Sequence, residues 1–220
     1  MRVELYWGSG SPYSWRALLA AEIKDVPYES RLISFQNKDH RSPAFLEMNP
    51  RGRVPVLKDG DLIISESMAI MSYLDHKGPK NPLFGHTATE TARIWEATSR
   101  VIYDLENAIR AFVDPILFSP PAGDTLARAQ AAAGAVHDEL RRLEEALARH
   151  DYLCGDTISA ADLAAFPFLM FVLRAASKDS VKSLEPHFLP LEQRYPLLAA
   201  WKARIETIPG YEKTYPPHWK

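Results

Sequence analysis

Ser11 stands where a short turn, Gly8-Ser9-Gly10-Ser11, gives way to Pro12 and a run of apolar residues at helical spacing. A helix N-terminus carries positive potential and free N–H groups, so a nearby anion is favoured there. A serine hydroxyl in that place can donate a hydrogen bond to a bound thiolate. A free thiol has a pKa near ~8.5, and lowering it by about two units takes roughly 2.7 kcal/mol of differential stabilisation. One hydrogen bond to a charged group supplies about 1.5–3 kcal/mol, much of what is needed. Ser9, Ser14, Tyr6 and Tyr13 are competing hydroxyls, and spacing does not choose between them. Nor does it exclude a Ser11 that only caps its helix.

A second group of polar residues lies in the stretch Asn49 to Ser67. Ser65 or Ser67 can cap a helix, whose free N–H groups would hold a carboxylate beside the Ser67 hydroxyl. Glu66 could take an ammonium group. A cis Val54-Pro55 bond would expose the Val54 backbone to an extended peptide. Together these groups offer partners for the backbone, carboxylate and amine of a small peptide. Most X–Pro bonds are trans, however, and on the residues alone a hairpin with an ordinary N-cap is the favoured reading.

The elements that must position these groups can be read in order. Val3 to Trp7 is a first strand, and Pro12 suits the first position of the helix after it. Trp15, Leu18, Leu19 and Ile23 follow at helical spacing and are expected to face a sheet. Val26 to Ile33 is a second strand, and Ser42-Pro43 opens a short helix ending before Asn49. Val54-Pro55 leads into a third strand, Asp59-Gly60 makes a hairpin turn, and Leu62 to Ile64 is a fourth strand. The helix carrying Ile70, Met71 and Leu74 completes a βαβαββα order with a mixed four-stranded sheet.

Lys77-Gly78-Pro79-Lys80-Asn81-Pro82 has the breakers of a linker. Beyond it the chain reads as helical. Ile94, Thr98, Val101, Ile102, Leu105, Ile109, Phe112 and Ile116 mark one face of a long helix ending near Asp114-Pro115. Leu126 to Leu147 repeats apolar residues at spacings of three and four, a stripe expected to pack internally. Ile158-Ser159-Ala160-Ala161-Asp162-Leu163 is a capping box with a hydrophobic staple. The domains expected are residues 1–78, a linker at 79–88, and an all-helical bundle at 89–220.

The segment Asn49 to Ser67 resembles the glutathione-binding half of the thioredoxin-like domain in cytosolic glutathione transferases. Proline, hairpin and acid-serine pair all fall at that family's intervals. In that family the Val-Pro bond is cis. Ser11-Pro12-Tyr13-Ser14-Trp15-Arg16 is similar to the active-site segment of serine-type transferases. Ser11-Pro12 is close to the tau class, and Ser14-Trp15-Arg16 to the zeta class. The zeta Ser-Ser-Cys-Ser is replaced here by Ser11-Pro12-Tyr13-Ser14, and the cysteine of the omega and beta classes is absent.

The resemblance implies an enzyme in which Ser11 stabilises the glutathione thiolate for attack on small hydrophobic electrophiles, with Tyr6 as the reserve. It implies that Glu66 and Ser67 hold the γ-glutamyl end, Val54 with Pro55 the cysteinyl backbone, and Arg41 and Arg53 the glycine end. Trp7, Tyr13, Tyr103, Phe112 and Phe118 are candidates to line the electrophile pocket. A homodimer is implied as well. The same scaffold could serve a glutathione-dependent isomerase of the maleylacetoacetate type, a dehalogenase or a peroxidase, or a binding module without catalysis.

Composition bounds the remaining possibilities. The 220 residues are 46% hydrophobic and 25% charged, as in ordinary globular proteins. A net charge of −2 gives no footprint for nucleic acid or an anionic membrane. No apolar run approaches the ~20 residues of a membrane span. Met1-Arg2-Val3-Glu4 lacks a signal-peptide core, so a cytoplasmic location is expected. One cysteine and seven scattered histidines provide no metal-ligand spacing, and no metal is expected. Cys154 is expected simply to be packed.

Overall fold

Alternation along Val3–Trp7 (β1) buries Val3, Leu5 and Trp7 and leaves Glu4 and Tyr6 half-buried, so the two faces of the strand meet different surroundings. The computed structural model that shows this describes residues 2–80, 82–118, 123–179, 181 and 186–219. They form two compact units, one of residues 1–84 with 206–220, the other of residues 85–205.

In the first unit β1 pairs in parallel with Tyr28–Leu32 (β2) and antiparallel with Val56–Asp59 (β3). Leu62–Ile64 (β4) closes the sheet, in the order β2-β1-β3-β4. Pro12–Ile23 (α1) and Ser67–Lys77 (α3) pack side by side against it. Pro43–Met48 (α2) places Phe45 against Val54, Val56 and Tyr6. The βαβαββα order and the mixed four-stranded sheet are those read from the sequence.

Lys24, just past α1, is buried and pairs with buried Asp75 of α3 at 3.0 Å. Its ammonium also donates to the Lys80 carbonyl, and Asp75 accepts from Leu83 N at 2.7 Å. One ion pair thus ties two helix ends to the linker. Asn81 of that linker lies outside the described residues.

The second unit begins with Ala88–Arg100 (α4), opened by a Thr87–Glu90 capping box. It runs without a break through a π-turn at Val101–Leu105 into Glu106–Leu117 (α5), which contains Pro115. The expected long helix therefore forms, but with a wide turn at its middle that the apolar spacing did not announce. Asn107 Nδ2 donates to the Tyr103 carbonyl at 2.6 Å within this region. Gly123–Leu147 (α6) packs on α5 through Ala129, Val136 and Leu140. Its stripe is internal, as expected.

Ala160–Ala176 (α7) is buried along nearly its whole length and is the core of the unit. Leu191–Arg194 (α8) and Pro196–Glu206 (α9) follow. Cys154 beside this core has its thiol pushed up to about 11, by burial first and by Asp162 second. That is the inert end of the thiol range.

His137 of α6 adds a measurable pH dependence. Its Nε2 meets the Pro186 carbonyl at 2.8 Å and must donate, and in the neutral ring Nδ1 then accepts from the Tyr195 hydroxyl at 2.5 Å. The ring is stacked on Phe188. Burial lowers its pKa, the Pro186 bond opposes, and the like charges of Arg194, Arg141 and His187 lower it further. A folded-state pKa below the unfolded one means that the unfolded chain binds the extra proton. Stability should then be complete above pH ~6.5 and fall as pH drops from there through the folded value. Urea unfolding from about pH 8 to about pH 5 should show this slope, and it should flatten in His137→Gln. An unchanged slope in that variant would assign it to another group.

Candidate active site

Three loops of the sheet unit converge beside the start of α1. In the first, Ser11 is the N-cap of α1, with extended backbone at φ −76° and ψ 118°. Its Oγ accepts from Ser14 N at 3.3 Å, and its own N–H donates to the Gly8 carbonyl at 3.1 Å. Among the described residues the Ser11 hydroxyl proton has no acceptor.

The competing hydroxyls are placed differently. Ser14 is 1% exposed and accepts from Gly8 N at 3.1 Å. The Ser9 Oγ is bonded to His218 Nδ1 at 2.6 Å. Tyr6 donates to the Glu4 carboxylate at 3.0 Å, and burial and that carboxylate both raise its pKa. Tyr13 is half-buried, with the Arg16 guanidinium 5.3 Å from its ring centre.

The second loop carries Phe35, His40 and Arg41. A Cβ added at Gly8 would overlap the Phe35 ring and lie 3.1 Å from Val54 Cγ2. His40 packs edge-on to Phe35, and its buried Nδ1 has no partner among the described residues. Arg41 lies over Gly52, where a Cβ would come 2.9 Å from Nη1 and where φ is +58°. Only glycine suits that position.

The third loop precedes β3. The Val54-Pro55 bond is cis. Asn49, buried, donates from Nδ2 to the Arg53 carbonyl at 2.7 Å and accepts Arg51 N at 3.2 Å. It fixes the backbone that leads to Val54. Arg53 itself is exposed. Beyond the hairpin, Glu66 is the N-cap of α3 but makes no side-chain cap bond. Its exposed carboxylate meets Arg51 Nη1 at 3.3 Å. Ser67 is the first residue of α3 and is buried.

The loops therefore gather Gly8, Arg41 and Val54 from three parts of the chain. His40, Phe35 and Asn49 are parts of this arrangement that the sequence did not single out. His40 had only its neighbour Arg41 as a signal, and Asn49 only a place before a turn.

The five aromatic candidates divide. Trp7 is 7% exposed on the Val3–Leu5 face of the sheet and donates its indole N–H to Ser30 Oγ at 2.8 Å. Phe112 is fully buried in the helical unit, 5.1 Å ring to ring from Phe188. Both are core, because inward periodicity and aromatic mass serve packing first. Tyr103 and Phe118 are 70% and 71% exposed on the helical unit, and Tyr13 sits beside the first loop.

The N-terminal domain of glutathione S-transferases matches residues 10–77, and their C-terminal domain matches residues 126–204. Glutathione S-transferase A of Pleuronectes platessa is 30% identical, over 98% of this chain and 92% of its own. The crystal structure of a glutathione S-transferase from the Antarctic clam Laternula elliptica covers 100% of this chain and 94% of that one, at 30% identity and a TM-score of 0.83. A glutathione S-transferase-I structure, bound with lactoylglutathione, aligns over 97% of this chain and 98% of that one, at 26% identity and a TM-score of 0.78. Identity at this level over nearly the full length, with both domains matched in order, means that the chain belongs to the glutathione S-transferase family.

Proposed function

We propose that the chain conjugates glutathione to small hydrophobic electrophiles, with Ser11 as the residue that stabilises the thiolate. The observation that carries this reading is the half-buried Ser11 hydroxyl at the start of α1, its proton without an acceptor among the described residues, while Tyr6 donates to Glu4, Ser9 is tied to His218 and Ser14 is buried. The bound thiol loses its proton to solvent, and the sulfur, held by the Ser11 O–H, attacks an electrophilic carbon. The bond to the leaving group breaks as the C–S bond forms.

The remaining groups divide the tripeptide between them. Ser67 and the free N–H groups of α3 take the γ-glutamyl carboxylate, and Glu66 takes its ammonium in place of Arg51. The Val54 main chain, held beside Pro55, pairs with the cysteinyl backbone. Arg41 and Arg53, with His40 beside them, hold the glycine carboxylate. Within the sheet unit, Tyr13 remains the candidate for contact with the electrophile. A homodimer in the cytoplasm completes the reading, on the strength of family membership. Lactoylglutathione in the related structure supports a glutathione moiety as ligand.

Calorimetric titration with glutathione, followed by chlorodinitrobenzene on the same sample, tests the proposal. Saturable binding with turnover is the expected result. Binding without turnover would move the assignment to isomerase, dehalogenase or peroxidase chemistry. Absence of binding would leave a transferase fold without transferase function.

A further inference from the structure

The last residues of the chain lie against the loop that carries Ser11. Tyr211–Thr214 (α10) packs on α1, and Trp15 donates its indole N–H to the buried Thr214 hydroxyl at 2.9 Å. Tyr215 and Trp219 meet the same ring edge-on, at 5.7 and 5.5 Å. Lys213 reaches Glu22 of α1 at 3.1 Å. Trp15, expected to face the sheet, is instead the post around which the C-terminal segment is wound.

That segment ends on the first loop. Gly10 has φ +78°, and a Cβ there would lie 2.7 Å from His218 Cε1 and 3.1 Å from Trp219 Nε1. The position needs glycine both for its backbone and for this close approach. His218 Nδ1 is 2.6 Å from Ser9 Oγ, while its Nε2 is 3.0 Å from Trp219 Nε1. An indole N–H only donates, so Nε2 accepts and the imidazole proton sits on Nδ1, donating to Ser9.

We propose that Ser9 and His218 are positioning residues, whose hydrogen bond makes the C-terminal segment a clamp on the Gly8–Ser11 loop and so sets the Ser11 hydroxyl. The inference rests on the assignment of Ser11 to the thiolate. Two of the four loop residues are glycine, and the Ser11 N–H bond to Gly8 closes the loop without fixing Ser9 or Gly10 between them. The clamp fixes those two. A misplacement of about 1 Å at such a site can cost about a hundredfold in rate.

The test compares His218→Phe, His218→Asn and Ser9→Ala with the unaltered protein. The ultraviolet absorbance of the thiolate, followed against pH, gives the pKa of bound glutathione, and chlorodinitrobenzene gives kcat and KM. His218→Phe and Ser9→Ala should each raise the thiol pKa by about one unit, an about threefold loss of thiolate at neutral pH from a bound thiol about two units below the free ~8.5. Activity should return at alkaline pH, and glutathione affinity should fall by no more than the same about threefold that is linked to the thiolate, since the tripeptide contacts lie elsewhere. His218→Asn keeps a donor near the Nδ1 position and should restore most of the effect.

Should His218→Phe not fold, Ser9→Ala on the half-buried loop carries the test. An unmoved thiol pKa in Ser9→Ala and in whichever His218 variants fold overturns the clamp, as does weakened glutathione binding with kcat intact. Ser11→Ala separates the two readings. If it raises the thiol pKa while the clamp variants do not, only the clamp fails. If it does not, the Ser11 assignment fails and the clamp with it.

Discussion

Ser11→Ala is expected to lower kcat/KM for conjugation by about 10- to 100-fold at neutral pH while glutathione still binds. The range follows from one hydrogen bond to an ionised sulfur, about 1.5–3 kcal/mol, which corresponds to one to two units of thiol pKa. Ser11 is also the N-cap of α1, and losing a cap costs about 1 kcal/mol of stability. A folded variant with reduced activity is therefore the expected result, not an unfolded one. The pH–rate profile distinguishes the two effects. If the hydroxyl acts on the thiolate, the deficit closes as pH rises past the free thiol's own ionisation near ~8.5. If the variant were only misfolded, the deficit would persist at every pH.

Tyr6→Phe is the matched control. The Tyr6 hydroxyl donates to Glu4, a carboxylate that would repel a thiolate, so its loss should leave the profile unmoved. Full activity in Ser11→Ala with loss in Tyr6→Phe would reverse the two assignments.

What was legible in the sequence followed from local rules. Pro12 and Ser42-Pro43 sit at helix starts because a proline at N1 forfeits no hydrogen bond, and both helices begin there. The hairpin between β3 and β4 forms where expected, but one residue later than Asp59-Gly60: Asp59 pairs with Leu62, so the two-residue loop is Gly60-Asp61, with Gly60 at φ +62°. The cis state of Val54-Pro55 was of another kind. The residues favoured trans, and only the likeness of the whole Asn49–Ser67 segment to a family implied what the structure has.

Long-range placement was not legible. Trp15 has the spacing of a sheet-facing residue, and nothing in Thr214, Tyr215 or Trp219 says that they come back to cover it. The role of His40 depends on Phe35 and Gly8, which touch only after folding. Trp7 and Phe112 have the aromatic character of pocket walls, a property that core residues share. The capping box at Ser159 lies at the opposite extreme. Ser159 and Asp162 announced it, and its consequences reach well beyond one helix.

Asp162→Ala is expected to be the most destabilising single change in the helical unit. The carboxylate is fully buried at the start of α7, where Oδ2 accepts from Ser159 N at 2.9 Å and Ser159 Oγ at 2.7 Å. Its Oδ1 accepts from Leu153 N at 2.9 Å and from the buried Trp201 indole at 2.8 Å. Burial pushes the Asp162 carboxyl up, and these four donors pull it back toward the ionised form. One side chain thus caps α7, anchors the preceding loop and fixes a tryptophan of α9. Alanine leaves all four donors without an acceptor. Each buried donor left unpaired costs about 1–3 kcal/mol, so a loss of about 4 kcal/mol or more is expected even if water reaches some of them.

Asp162→Asn should fall between the two. Its amide oxygen can still accept from Leu153 and Trp201, but its NH2 then opposes the Ser159 N–H, and only the Ser159 hydroxyl can turn to accept. For a chain of this size each kcal/mol moves the melting temperature by about 2–4 °C, so alanine should lower it by roughly ten degrees and asparagine by about half that. A melting temperature within about 2 °C of the parent for Asp162→Ala would mean that the four donors find other partners. The capping box would then be a local device and not the joint between loop, core helix and α9.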